Sequence, residues 1–266
     1  MFEKRPLDRQ IVEYSVNQLG RRGFSKQAPR FPNRQRRLCT RTPFVLNTPI
    51  LKIGQSDLQL FDRQKHNDIH WFRMTALADT FVHQKYAVWR SLLTDPRLSL
   101  LYKYVRKLAD HGALRDGDSQ VPNALVGKYD FVIDELLGDL LPEVESATDM
   151  KLFPTFAYFR MYRKDDALEK HTDRPACEIS ISLCLGYQAR GPWPIWINGP
   201  AGSSAIELEP GDGLLYRGCE CAHWREPFAG EHAAQVTLHY VDQNGPSADW
   251  KMDRKPSLGT IRRYVG

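Results

Sequence analysis

With 266 residues, 42% of them hydrophobic and 11% aromatic, the chain can bury a sizeable core and is too apolar to read as disordered. No run approaches the roughly 20 apolar residues of a membrane span, which excludes a helical membrane function. The formal charge of +5 is uneven, since residues 1–70 hold fourteen Lys and Arg against six Asp and Glu.

That basic stretch is densest at Arg34, Arg36, Arg37 and Arg41, beside Phe31. Phosphate contacts need such cations, but no nucleic-acid-binding motif accompanies them, so nucleic acid is not an expected partner. A solvated basic face, or arginines closing over an anionic small substrate, accounts for the charge equally well. The N-terminal Met1-Phe2-Glu3-Lys4-Arg5 lacks the apolar stretch of a secretory signal. Five cysteines, at 39, 177, 184, 219 and 221, show no framework spacing, so reduced thiols and a cytoplasmic location are expected.

Residues 1–70 read as irregular structure and short strands, punctuated by Pro29, Pro32, Asn33, Pro43 and Pro49. From about Ile69 to Ala113 the pattern is helical. Asp95-Pro96 reads as a helix start, with Asp at the cap and Pro in the first turn. Leu98, Leu101, Tyr104, Val105 and Leu108 then recur at three- and four-residue spacing, an apolar stripe for one helix face. Residues 130–145 repeat it with Phe131, Ile133, Leu136, Leu137, Leu140 and Leu141. Both stripes are core-facing and carry no chemistry.

After Pro154 the chain becomes strand-like. The aromatic run 156–162 is followed by residues 178–185, which alternate polar and apolar as a strand with one face on a core does. Further strand-like runs are 194–198, 205–208, 213–216 and 234–241, separated by Gly, Pro and Asn turns. Helices followed by many short strands predict an α+β chain, with helices packed on a β-barrel or sandwich such as a jelly roll. The division is placed at 150: residues 1–150 form a mostly helical, basic segment shaping the substrate pocket, and 151–266 the β core, together as one compact unit.

The chemistry concentrates in His171-Thr172-Asp173 and in His223, fifty-two residues after His171. Residues i and i+2 of a strand or its exit point to one side, so His171 and Asp173 can reach one metal ion together. Two imidazoles and a carboxylate form the facial triad of non-haem Fe(II) centres, with further metal positions left open. Cys219-Glu220-Cys221-Ala222-His223 raises a competing zinc reading, although an extended CxC does not supply the looped spacing of structural zinc sites.

Taken in order, Tyr162, His171-Thr172-Asp173, the stretch Glu209-Pro210-Gly211-Asp212-Gly213 and His223 resemble the prolyl-hydroxylase-like branch of the Fe(II)/2-oxoglutarate oxygenases. The resemblance covers roughly residues 155–245. It implies a double-stranded β-helix, the jelly roll, with Fe(II) held by His171, Asp173 and His223, and with 2-oxoglutarate and O2 as cosubstrates. It also implies oxidative decarboxylation of 2-oxoglutarate to succinate coupled to hydroxylation of an unactivated C–H bond. Tyr162 matches the family's tyrosine that hydrogen-bonds 2-oxoglutarate. Related halogenases carry a small residue in place of the carboxylate, so Asp173 implies hydroxylation, or a desaturation or cyclisation variant.

The sequence departs from the family in one place. The Arg or Lys that follows the distal histidine by nine to twelve residues is missing, and the window reads His232-Ala233-Ala234-Gln235. A guanidinium is the natural partner of the far carboxylate of 2-oxoglutarate. Arg225, two residues after His223, is the first replacement, Arg160 the second, and Gln235 a hydrogen-bonding contributor. Arg174 is the candidate substrate-binding residue, with a structural ion pair as its alternative. The expected substrate is a small molecule such as an amino acid or related metabolite. Alternatives are a peptidyl residue of a protein and a catalytically silent jelly-roll metal-binding protein.

Overall fold

The computed structural model describes residues 73–255. The basic stretch 1–70, with its expected irregular structure and short strands, lies outside the described residues. In chain order the elements are helix α1 (73–84), strand β1 (Tyr86–Trp89), helix α2 (Arg97–Asp110), and strands β2 (Arg115–Asp116) and β3 (Leu125–Lys128). Helices α3 (Phe131–Asp139) and α4 (Leu141–Thr148) follow, then β4 (Leu152–Arg163), β5 (Leu168–His171), β6 (Ile179–Gln188), β7 (Ile195–Gly199), β8 (Gly202–Ile206), β9 (Gly213–Arg217), β10 (His223–Arg225) and β11 (His232–Asp242). A 3-10 segment, Ala248–Arg254, ends the described chain apart from Lys255. None of the described helices is long and apolar enough to cross a membrane.

The strands form two antiparallel sheets. The major one runs β1-β9-β6-β11-β4-β3-β2 and the minor one β5-β10-β7-β8. From β4 onward the chain crosses from one sheet to the other at every connection except the β7–β8 hairpin, which is the winding of a double-stranded β-helix. Strands β1, β2 and β3, from before residue 150, extend the major sheet at its two edges. The helices cover its outer face: Leu101 and Val105 of α2, Ile133, Leu136 and Leu137 of α3, and Val144 of α4 share one core with Ile179, Ile181, Leu183, Val236 and Leu238.

Several local readings are corrected by the structure. The 69–113 region is interrupted by strand β1, whose four residues pair with β9 from Tyr86↔Tyr216 to Trp89↔Gly213. Pro96 is the N-cap and α2 begins at Arg97, while Asp95 still caps by accepting from the Ser99 N–H at 3.2 Å. The stretch 130–145 is two helices, because Pro142 has no N–H to give and its ring opposes the preceding turn. Asp130 starts the first by accepting from Val132 and Ile133. Phe131 is 54% exposed and not part of the core stripe.

The alternation in β6 has a different meaning from a half-solvated strand. All of Ile179–Gly186 is buried. The isoleucines and leucines face the helices, and the polar positions face the interior of the jelly roll. The same parity holds in β11, where Gln235 and His239 are buried polar residues between apolar neighbours that join the helix-side core. In β4, Ala157, Phe159 and Met161 join that core, and Arg160 alternates with them. The major sheet therefore presents an inner wall of polar and aromatic side chains to the minor sheet.

The acidic-Pro-Gly-Asp turn holds β1 and the start of α2 onto this frame. Asp212 accepts from Arg90 at 2.6 Å, Ser91 N–H at 2.9 Å and Glu209 N–H at 3.1 Å. Gly211 has φ +92°, and a Cβ there would sit 2.3 Å from the Leu93 carbonyl oxygen. Gly211→Ala is expected to destabilise the fold by about 2 kcal/mol or more, combining left-handed strain with displacement of Leu93. The check is a lower urea midpoint with unchanged slope; an unshifted midpoint would contradict the assigned turn geometry.

Candidate active site

His171 ends β5 and His223 begins β10, and the ladder sets them directly opposite one another. Asp173 lies two residues beyond His171 in the exit loop, where its N–H donates to Gly218 O at 2.9 Å. The three side chains bring one donor atom each within 4.8 Å of the others. Asp173 Oδ1 is 3.6 Å from His171 Nε2 and 3.7 Å from His223 Nε2. The imidazole centroids are 4.4 Å apart.

Each imidazole is fixed by its other nitrogen. His171 Nδ1 lies 2.8 Å from Glu169 O and His223 Nδ1 3.0 Å from Cys221 O. A carbonyl only accepts, so both Nδ1 atoms carry hydrogen, and in the neutral rings both Nε2 atoms present lone pairs toward Asp173. Burial lowers the His223 pKa and so favours its neutral form. The adjacent Asp173 carboxylate raises the His171 pKa. Burial pushes the Asp173 carboxyl up, but the two histidines beside it outweigh that and leave its pKa below its ordinary value. The donor set fits a divalent cation. Ligands at ~2.1 Å on adjacent octahedral corners stand about 3 Å apart, somewhat closer than the 3.6 and 3.7 Å that separate Asp173 Oδ1 from the two Nε2 atoms.

Tyr162 and Arg160 of β4, Gln235 of β11 and Arg225 of β10 are a second set of buried polar side chains. Arg160 donates to Tyr162 Oη at 3.0 Å and to Asp118 at 2.6 Å, with its guanidinium over the rings of Tyr158 and Tyr162. Its charge is thus balanced by Asp118. Arg225 is 3% exposed; it donates to Trp193 O at 2.7 Å and to Gln235 Oε1 at 3.4 Å, and it lies 4.7 Å over the Trp193 ring. Among the described residues no carboxylate makes an ion pair with it, and burial lowers its pKa. Trp193 also packs edge-on against Tyr162, at 4.8 Å between centroids.

Arg174 stands apart from this group. It donates to Asp253 at 2.8 Å, and its guanidinium lies 4.7 Å from the Phe156 ring and 5.1 Å from that of Trp250. Cys219 and Cys221 diverge, with Sγ atoms toward Arg174 O and Lys85 O. Neither belongs to any metal-donor group among the described residues. Three residues that sequence reasoning passed over complete the surroundings. Tyr216 Oη is 3.5 Å from His223 Nε2, Ser180 Oγ is 3.2 Å from Asp173 Oδ2, and His239 Nδ1 is 2.8 Å from Ser180 Oγ. Their signal was present as the inward-facing parity of β9, β6 and β11.

The sequence matches no protein-family model and no curated protein. Solved structures do match. A prolyl-4-hydroxylase of Pseudomonas putida is 15% identical, with 64% of this chain and 98% of that chain covered and a TM-score of 0.54. A prolyl hydroxylase of Trichoplax adhaerens, in complex with a hypoxia-inducible-factor peptide fragment, is 13% identical over 71% and 94% of the two chains, at a TM-score of 0.55. HygX of Streptomyces hygroscopicus, with nickel, 2-oxoglutarate and hygromycin B bound, is 12% identical over 62% and 85%, at 0.51. The fold is therefore the double-stranded β-helix of the Fe(II)/2-oxoglutarate oxygenases, of the kind found in the prolyl hydroxylases.

Proposed function

We propose that the chain is an Fe(II)- and 2-oxoglutarate-dependent dioxygenase that hydroxylates an unactivated C–H bond of a small molecule, such as an amino acid or related metabolite. The observation that carries this reading is a pairing on one inner wall. A carboxylate with two imidazole lone pairs aimed at it is accompanied by a buried guanidinium that no carboxylate among the described residues neutralises. Buried cations without a partner are costly, and an anionic ligand supplies what Arg225 lacks.

In this reading His171, Asp173 and His223 hold the metal on one face. Fe(II) held there would supply, with 2-oxoglutarate and O2, the chemistry that decarboxylates the cosubstrate to succinate and oxidises the substrate C–H bond. Arg225 binds the far carboxylate of 2-oxoglutarate, and Gln235 orients the guanidinium through its amide oxygen. Tyr162 accepts from Arg160, which leaves its hydroxyl hydrogen to give to the same cosubstrate. Arg160, already paired with Asp118, positions Tyr162. Tyr216, beside His223 Nε2, offers a hydroxyl to a ligand at the centre. Trp193 and Phe228, in tilted contact at 4.9 Å, exclude water from the Arg225 end. Arg174 gives an N–H to Asp253 and is 44% exposed, so at the rim it retains donors for a substrate carboxylate.

The recessed centre, with His223 4% and Asp173 13% exposed, supports a small or slender substrate. A peptide is the second reading, because the Trichoplax relative of the fold binds one. The test is Fe(II)-dependent conversion of 2-oxoglutarate to succinate without added substrate, alongside direct titration of the chain with Fe(II) under anaerobic conditions. Expected are slow succinate formation, abolished by a chelator, and one bound metal per chain. The absence of both turnover and metal uptake would instead support a catalytically silent jelly roll.

A further inference from the structure

Behind the triad lies a second group of donor atoms, from Asp173, Cys177 and His239, also within 4.8 Å of one another. It has the composition of a soft-metal site, but its contacts are those of a hydrogen-bonded support. The Cys177 thiol is buried, and burial pushes its pKa well up, so it stays protonated. Ser180 already links the other two residues: its hydroxyl oxygen lies 2.8 Å from His239 Nδ1, 3.2 Å from Asp173 Oδ2 and 3.1 Å from Cys177 O.

Proton counting orders this chain. The hydroxyl has one hydrogen, and both Asp173 Oδ2 and Cys177 O can only accept. If His239 Nδ1 took that hydrogen, both oxygens would face bare lone pairs of the hydroxyl. The consistent arrangement has Nδ1–H donating to Ser180 and Ser180 donating to the carboxylate, the stronger, charged acceptor. It leaves His239 Nε2 without hydrogen, in keeping with its having no partner among the described residues. His239 is 2% exposed and packs at 4.6 Å on Phe156 and 5.8 Å on Tyr158. Burial pushes its pKa down to about 4, so it remains neutral near pH 7.

Gly218 makes room for the arrangement. A Cβ there would stand 2.3 Å from Asp173 Oδ2, 2.3 Å from Cys177 O and 2.9 Å from Ser180 Oγ. The Gly218 carbonyl in turn accepts from Asp173 N–H.

We infer that Ser180 and His239 are positioning residues, which hold Asp173 with Oδ2 tied to the barrel wall and Oδ1 turned to the two imidazoles. This rests on the metal-centre reading of the triad. A carboxylate so held offers a metal one oxygen only, and the positions that a bidentate carboxylate would cover stay open for other ligands. Outer-sphere partners of this kind typically change metal affinity by about 10- to 100-fold.

The experiment is a titration of the full chain with Co(II), reading both affinity and the visible absorption of the bound ion. Ser180→Ala, nearly isosteric, is expected to bind Co(II) about 10- to 100-fold more weakly and with an altered spectrum. His239→Phe should behave likewise, and His239→Asn, whose side-chain N–H can take the place of Nδ1–H, should recover most of the affinity. Wild-type affinity and spectrum in Ser180→Ala overturn the inference while leaving the metal centre intact. Equal losses in His239→Asn and His239→Phe also overturn it, since packing and not the hydrogen bond would then hold Asp173. A wild-type chain that takes up no Co(II) overturns the metal centre and this support together.

Discussion

Asp173→Ala is expected to remove metal binding and 2-oxoglutarate turnover while leaving the fold in place. Asp173 supplies the only carboxylate of the triad, and both imidazole Nε2 atoms face its Oδ1. Without it a divalent ion meets two neutral ligands and no compensating charge. The loss in affinity should exceed the roughly 100-fold that follows removal of an outer-sphere partner. Stability should fall only modestly, because the desolvation cost that the variant sheds offsets part of the favourable interactions it loses. Asp173→Glu should fail as well: Gly218, Cys177 O and Ser180 crowd the space behind the carboxylate, so an added methylene moves Oδ1 out of register. His232→Ala is the control, since His232 bonds to Tyr102 at 2.8 Å and takes no part in the triad. Calorimetric titration with Mn(II) or Co(II), beside a thermal melt, decides the matter. Wild-type affinity in Asp173→Ala would remove Asp173 from the centre.

The triad could be read from the sequence because its geometry is local. His171 and Asp173 share a side by the two-residue period, and a jelly roll must return a later strand beside them. Arg225 and His223 were related by the same period. The long strands β4, β6 and β11 announced themselves, whereas β1 and β10, of four and three residues, are too short for a periodic signal. Ser180 and His239 were hidden by a mistaken inference, not a missing pattern. Alternation in β6 suggested a wet face, but in a closed jelly roll the polar face lines the interior. Partners remote in sequence stayed invisible: Asp118 lies 42 residues before Arg160, and Asp253 79 after Arg174. No spacing rule connects them, and only the fold brings them together.

Arg225→Met is expected to weaken 2-oxoglutarate binding strongly without costing the unliganded chain stability. Removing one partner of a buried, hydrogen-bonded charge pair costs about 2–5 kcal/mol, which raises the apparent KM for 2-oxoglutarate roughly 30-fold or more. The stability side follows from the same burial. Arg225 is enclosed by Trp193 and Gln235 with no carboxylate partner among the described residues, so the ligand-free fold carries a desolvated cation. Methionine fills much of that volume without the charge, and the melting temperature of the unliganded variant should equal or exceed that of wild type. Arg160→Met should invert the pattern. Its loss strands Asp118 and frees Tyr162, so stability falls, while the cosubstrate retains its main anchor. Arg225→Lys should fall between wild type and Arg225→Met, because an ammonium keeps the charge but not the forked geometry. Steady-state KM values and melts for the three variants separate anchor from positioner. An unchanged KM in Arg225→Met, with a raised one in Arg160→Met, would exchange the two assignments.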